Sequence, residues 1–232
     1  MGARAVNTQP VTREATLVVG LGTTGLSCAR FLAARGRDFV VVDSRPEPPG
    51  LASLREELPD IEFVPGSFDA DLFASAGQVV LSPGVGLEEP AVHAARRAGV
   101  PVLGDIELFA RHAQAPVIAI TGSNGKSTVT TLLAEMARTA GLNVKAGGNL
   151  GPAALDLLQG EVPDLYLLEL SSFQLELTES LNARAAAVLN VSDDHLDRHH
   201  SVEAYAAIKQ RIFRGTGTMV VNADDRRVAA MA

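Results

Sequence analysis

The sequence predicts an α/β protein built from two parallel-sheet units, and three observations predict it. An apolar run, Thr16-Leu17-Val18-Val19, enters the turn Gly20-Leu21-Gly22-Thr23-Thr24-Gly25, and an acid, Asp43, closes the next apolar run. A second β-branched run, Val117 to Thr121, enters Gly122-Ser123-Asn124-Gly125-Lys126-Ser127-Thr128, with helical periodicity after it. Between and beyond these turns, short apolar strands alternate with amphipathic helices, the pattern of helices packed on parallel sheets.

Residues 1–15 read as a mobile lead-in. Residues 16–19 form a buried strand, and a helix to about Arg35 puts Cys28, Ala29, Leu32 and Ala33 on one face. Phe39 to Val42 is the next strand. With Asp43 at its end, strand, G-x-G-x-x-G turn, helix and acid together make the nucleotide-binding fingerprint. The alternative is a tight βα turn whose glycines serve only packing. A short helix near Leu51–Leu58 follows a Pro-rich loop. Val79-Val80-Leu81 is a buried strand running into Ser82-Pro83-Gly84-Val85-Gly86, a loop suited to the carboxyl edge of a parallel sheet, where such sheets bind ligands. Pro90 to Ala98 is a helix opened by proline. Residues 100–103 form a short strand, and Gly104-Asp105 opens a helix through about His112. Gln114-Ala115-Pro116 is a linker, so the first domain is expected to span 1–113 and the second 114–232.

The second unit begins with the phosphate-loop signature. Its glycines admit backbone N–H groups close to phosphates, and the helix N-terminus adds a favourable dipole. Lys126 can reach terminal phosphates, and Ser127 or Thr128 can hold magnesium. The strict motif is not met, because Ile120 stands where it requires glycine. The helix is expected to bury one stripe of Val129, Leu132, Leu133, Met136, Ala137 and Ala140. A short strand near 143–145, the loop Gly147-Gly148-Asn149-Leu150-Gly151, and a strand Leu165–Leu168 follow. Glu169 ends that strand, where nucleotide triphosphatases keep a magnesium-bound carboxylate; a solvated strand-end glutamate is the alternative. The strand 185–190 leads into Ser192-Asp193-Asp194-His195-Leu196-Asp197, either a surface acidic turn or a functional one. A helix over 201–213 carries Lys209 on the face of Tyr205, Ile208 and Ile212, which from spacing favours a snorkelling lysine. The strand 218–222 comes last.

Composition narrows the class. With 47% apolar residues in 232, real cores are affordable and disorder is excluded as the general state. A net charge of −7 without a basic block argues against nucleic acid or an acidic membrane as main partner. Cys28 is the only cysteine, so no intrachain disulfide forms. No run has the length of a membrane span, and residues 1–14 lack a signal-peptide core, so the expected location is the cytoplasm.

The motifs taken together, from Gly20–Gly25, Asp43-Ser44-Arg45 and Ser82-Pro83-Gly84 through Gly104–Phe109, Thr121–Thr128 and Gly147-Gly148-Asn149 to Leu168–Gln174 and Asp194–Arg198, resemble the Mur ligases. Within that family they are most similar to the branch that adds D-glutamate to UDP-N-acetylmuramoyl-L-alanine. The resemblance implies a Rossmann-like domain for the UDP end of the substrate, a central ATPase domain and a C-terminal domain for the amino acid. It implies substrate contacts by Thr23, Thr24, Asp43, Ser44, Arg45, Ser82, Pro83, Gly84, Asn149 and His195. ATP would lie on Gly122, Ser123, Asn124, Gly125, Lys126, Ser127 and Thr128. Magnesium would sit in two sites, one on Ser127 or Thr128 with Glu169, the other on His195 and a carboxylated Lys209. Lys126, His195 and Lys209 would be catalytic, in an acyl-phosphate route to an amide. The full-length protein is expected to be a monomer.

The resemblance further implies that the chain ends inside the central domain, without the C-terminal one. The expectation is therefore no ligase activity from this chain alone, and self-association through an unpaired last strand. Other readings are a related ligase of the same superfamily, including one acting on folate, a dinucleotide-dependent oxidoreductase with Asp43 on a ribose, or a UDP-sugar binding module.

Overall fold

The computed structural model describes residues 15–194 and 196–232. The first unit runs β1 (Thr16–Val19), α1 (Thr23–Ala33), β2 (Phe39–Asp43), α2 (Leu51–Glu57), β3 (Phe63–Pro65), α3 (Ala70–Ser75), β4 (Gln78–Leu81), α4 (Pro90–Arg97), β5 (Val102–Leu103) and α5 (Asp105–Ala110). Its strands form one parallel sheet in the order β3-β2-β1-β4-β5. The order reverses between β1 and β4, so the crevice such sheets offer to ligands opens at the carboxyl ends of these two strands. β1, β2 and β4 are Val/Leu runs buried on both faces, as a helix-covered parallel sheet requires. Gly25 is required at the turn. A Cβ there would stand 1.8 Å from the Gly20 carbonyl oxygen, so only glycine lets α1 start this close to β1.

The second unit runs β6 (Val117–Thr121), α6 (Lys126–Thr139), β7 (Val144–Gly148), a 3-10 turn (Ala154–Leu158), β8 (Leu165–Glu169), α7 (Ser172–Leu175), β9 (Ala185–Val188), α8 (Leu196–His199), α9 (Val202–Gln210), a 3-10 turn (Arg211–Phe213), β10 (Thr218–Val221) and α10 (Arg226–Ala229). Its parallel sheet has the order β10-β9-β6-β8-β7. β6 is central, and its register with β8 sets Ile120 beside Glu169. The loop after β6 and the acid ending β8 therefore share one sheet edge.

One apolar cluster runs through both units. The 3-10 turn at 154–158 supplies Leu155 and Leu157, which join Phe31 and Leu32 of α1 and Ile106 and Phe109 of α5, and Phe109 meets Tyr166 of β8 edge to face at 5.1 Å. Polar ties reinforce this contact. Glu107 accepts hydrogen bonds from the Glu179 and Ser180 N–H groups and the Ser180 hydroxyl, at 2.8–2.9 Å.

Four sequence expectations change. The buried face of α6 is Thr130 and Ala134 flanked by Val129, Leu133 and Ala137, whereas Leu132 and Met136 are each 59% exposed. The expected stripe is rotated by roughly 60° from the real one, at about 100° per residue. The apolar pattern alone misplaced it because the buried centre is a threonine. Lys209 does not snorkel; it is 1% exposed. β3, α3 and α10 were unexpected, being only three to six residues long, and α8 lies in what looked like an acidic turn. The helix expected over 201–213 ends at Gln210 and tightens into the 3-10 turn. Residues 1–14 of the expected lead-in, and His195, lie outside the described residues.

Candidate functional site

Two sites take shape, one in each unit, and the cleft on the first unit is completed by residues of the second unit. The phosphate loop starts where β6 ends. Gly125 caps α6 with φ 77°, a left-handed conformation that glycine adopts without strain. The loop is tied to the segment after β9: the Asn124 N–H donates to Asn190 Oδ1 at 2.8 Å, Asn190 Nδ2 donates to the Asn124 carbonyl at 3.0 Å, and the Ser192 N–H donates to Ser123 Oγ at 3.0 Å. Ser123 Oγ also lies 3.4 Å from the Tyr205 hydroxyl of α9. Asn190 and Ser192 were missed as site residues in the sequence. The available signal was that β9 ends next to β6 in a parallel sheet.

Lys126 folds back over its own loop, its Nζ donating to the Gly122 and Ser123 carbonyls at 3.0 Å. Lys209 reaches the same place from α9. Its Nζ donates to the Gly122 carbonyl at 3.0 Å and to Thr121 Oγ1 at 3.3 Å, and lies 4.4 Å from the Tyr205 ring centre. Burial, the nearby Lys126 charge, and an opposing pull from Asp194 leave the Lys209 ammonium at about 7. Two lysine side chains thus share one carbonyl oxygen, a cluster of donors suited to receiving anionic charge.

Glu169 is buried at the end of β8. Its Oε1 accepts from Asn149 Nδ2 at 2.7 Å, while its Oε2 is buried with no hydrogen-bond partner among the described residues. The Asn149 N–H also donates to the Glu169 carbonyl at 2.8 Å. A buried carboxylate oxygen left without a donor fits a cation, since burial of the bare charge is otherwise costly. Ser127 and Thr128 are exposed on the first turn of α6, free to offer hydroxyls. Among the described residues no group of three or more His, Cys, Asp or Glu is arranged to hold a metal, so a cation on Glu169 needs hydroxyl and ligand oxygens as well.

The second site is a cleft of about 510 Å³ at the switch point of the first sheet. Gly20, Gly22, Thr23 and Thr24 line it from the glycine turn, Asp43, Ser44 and Arg45 from the end of β2, and Ser82, Pro83 and Gly84 from the end of β4. Gly148, Asn149, Gly151, Ala153 and Gln174 close it from the second unit. Every expected substrate residue among those described therefore lines one cleft, and His195 lies outside the described residues. Phe68 and Val85, not expected, add apolar wall; Phe68 lies beyond the short β3 that the sequence did not reveal.

The Asp43 carboxylate is fully engaged. Oδ2 accepts from the Leu21 N–H at 2.7 Å and Arg45 Nη2 at 2.7 Å; Oδ1 accepts from the Arg45 N–H at 2.9 Å and Nε at 2.8 Å. Burial raises its pKa, but the donors from Arg45 and Leu21 outweigh that and hold it at about 2. All of its roughly four acceptor positions are taken. Gln174 is oriented in a similar way: its Nε2 donates to Asp105 Oδ2 at 3.1 Å, and its Oε1 accepts from the Ser171 N–H at 3.1 Å within a capping box.

Comparison with known proteins follows these sites. The profile described as "Mur ligase MurD-like, N-terminal domain" matches residues 14–104, and that of the "Mur ligase middle domain" matches residues 120–232. The chain is 62% identical over 223 residues to a UDP-N-acetylmuramoylalanine–D-glutamate ligase of Nitrosococcus oceani, covering 96% of this chain and 49% of that protein. It is 56% identical over 222 residues to the protein of the same name from Marinobacter nauticus, covering 96% and 50%. The chain thus spans about half the length of the curated relatives it matches. Among solved structures, a UDP-N-acetylmuramate:L-alanyl-gamma-D-glutamyl-meso-diaminopimelate ligase from Neisseria aligns with TM-score 0.63 at 18% identity, over 94% of this chain and 74% of that one. A UDP-N-acetylmuramate-alanine ligase from Thermotoga maritima aligns with TM-score 0.58 at 22% identity, over 94% and 51%. These two show the fold.

Proposed function

The chain belongs to the Mur ligase family, and from that premise we propose that it forms the substrate-binding and ATP-binding parts of a ligase adding D-glutamate to UDP-N-acetylmuramoyl-L-alanine in peptidoglycan precursor synthesis. The observation that carries this reading is the single cleft in which the glycine turn, the Asp43–Arg45 corner, the Ser82–Gly84 loop and Asn149 converge, with Asn149 bonded to the Glu169 that ends β8 beside β6. We assign residues 1–113 to the UDP-substrate domain and 114–232 to the central domain. Thr23, Thr24, Ser44, Arg45 and the Ser82–Gly84 loop hold the nucleotide and diphosphate. Asp43 acts by fixing Arg45. Asn149 and His195 are assigned to the reacting end of the substrate.

ATP lies on the Gly122–Thr128 loop, with Lys126 turning from the loop carbonyls to the terminal phosphates. Magnesium is held by Ser127 or Thr128 with Glu169, and in a second site by His195 and a carboxylated Lys209; it offsets phosphate charge. Lys209 with a pKa near 7 is neutral in good part at physiological pH, which is the state that a carboxylation requires. The alanine carboxylate attacks the γ-phosphate, ADP leaves, and the D-glutamate amine then attacks the acyl carbon and expels phosphate. Lys126 and the loop N–H groups stabilise the transferring phosphoryl group. The proposal includes a cytoplasmic location, where ATP is the co-substrate, and a full-length monomer.

The oxidoreductase reading loses its main support. A carboxylate that recognises a ribose must accept from its hydroxyls, and the acceptor positions of Asp43 are already filled. The test is ADP formation by the full-length protein, which should require both the UDP-substrate and D-glutamate and fall at least about 10³-fold in Lys126→Ala. ADP formation indifferent to either substrate would sink the proposal.

A further inference from the structure

The Ser82–Gly86 loop forms one wall of the cleft, yet it belongs to the first unit and is held from the second. The guanidinium of Arg198, on α8, donates from Nη1 to the Pro83 carbonyl at 3.0 Å and from Nη2 to the Val85 carbonyl at 3.3 Å. The same Nη2 bonds Glu176 Oε2 at 2.8 Å, and the group lies 4.5 Å from the Phe173 ring centre. Arg198 is 20% exposed and Glu176 10%. From its own unit the loop is tied by the Ser82 N–H to the Val19 carbonyl, the Ser82 hydroxyl to the Gly20 carbonyl, the Val85 N–H to the Ser82 carbonyl and the Glu89 N–H to the Gly86 carbonyl. Among the described residues, every hydrogen bond from the second unit to this loop comes from Arg198.

We propose that Arg198 is a positioning residue for the substrate: it clamps the 82–86 loop to the second unit and so sets the cleft wall that faces the diphosphate. This rests on the reading of the cleft as the UDP-substrate site. The chemistry selects arginine. Only a planar fork gives separate donors to two carbonyls and a carboxylate while its face stacks on an aromatic ring; lysine offers a point charge. Glu176 and Phe173, both on the segment after β8, hold the guanidinium from the other side, so the start of the loop is anchored to its own sheet through Ser82 while its Pro83–Val85 part is held from the second unit.

Two measurements on this chain test it: amide hydrogen exchange across residues 82–89, and calorimetric titration with UDP-N-acetylmuramoyl-L-alanine and, separately, with ATP. In Arg198→Ala the loop amides should exchange about tenfold faster or more while those of β1 and β6 keep their protection, given the weight of charge-assisted bonds. Affinity for the UDP compound should fall about tenfold, with ATP affinity unchanged. Arg198→Lys should fall between, and Glu176→Gln should loosen the loop less than Arg198→Ala. A general folding role would lower both affinities and all protection together, and that result overturns the proposal. So does unchanged exchange at 82–89. If wild type does not bind the UDP compound, the functional reading fails, while the exchange comparison still decides the clamp. If Arg198→Ala does not fold, the exchange of Arg198→Lys against wild type decides it in the same way.

Discussion

At the scale of single residues, the site is made of charges fixed by neighbours rather than left to solvent. Asp43 carries this furthest, since its ionised form is bonded by Leu21 and Arg45 and is retained down to about pH 2. Its stabilising contribution is present above its unfolded pKa near 3.8 and is lost as pH falls from there towards 2. Asp105 behaves oppositely. Burial raises its pKa to about 6, against a smaller opposing effect of the Gln174 hydrogen bond. Between about pH 4 and pH 6 the folded chain then binds more protons than the unfolded one, so stability falls as pH rises through that window, by up to about 3 kcal/mol. Urea unfolding of wild type and Asp105→Asn across pH 4–7 checks this: the difference in stability should move in the variant's favour as pH rises, and a constant difference would contradict it. Glu169 and Lys126 were legible as candidate site residues because each directly follows a strand or glycine loop, whereas Asn149 entered only through the family resemblance. The burial of Lys209 was not legible, because helical spacing fixes which face a residue shares but not what covers that face.

At the scale of elements, the sequence foretold the long, strongly patterned pieces. β1, β2, β4, β6, β8 and β9 and helices α1, α4 and α6 lie where their apolar runs and glycine or proline boundaries put them. β3, α3, α8 and α10 were not foretold, since three to six residues without a continuous apolar run carry no clear period. The face of α6 went astray because Thr130 is buried and Leu132 and Met136 are not. Leu132→Gln and Met136→Gln should therefore each change stability by no more than about 0.5 kcal/mol, whereas Ala134→Leu, at 2% exposure, should cost about 1–3 kcal/mol by overpacking. Thermal or urea unfolding separates the two cases. Gly25→Ala should be harsher still, about 3 kcal/mol, because its Cβ meets a backbone carbonyl that cannot retreat without moving β1.

At the scale of the whole molecule, two sheets are fused through one apolar cluster and a set of buried polar ties, and that union closes the cleft of the first sheet with residues of the second. Only the family resemblance grouped Asn149 with Thr23 and Arg45, and nothing in the sequence pointed to Gln174 as a cleft residue; the convergence comes from two parallel sheets meeting near their carboxyl edges. The last strand, β10, pairs with β9 alone among the described residues, and Met219 and Val220 on it are 42% and 51% exposed. Such an edge is a template for pairing between copies. The chain should self-associate at high concentration in sedimentation, and Val220→Lys should reduce it; a monodisperse wild-type monomer would contradict this.

The central claim is that the cleft at the end of β1 and β4 receives the UDP-substrate, and calorimetric titration of this chain with UDP-N-acetylmuramoyl-L-alanine, alongside NADH, tests it most directly. The account predicts saturable binding of the UDP compound, weakened at least about tenfold in Asp43→Ala and Arg45→Ala as the charge-assisted contacts at that corner are lost, and no binding of NADH. Binding of NADH in place of the UDP compound, or UDP-compound binding indifferent to both substitutions, would contradict it.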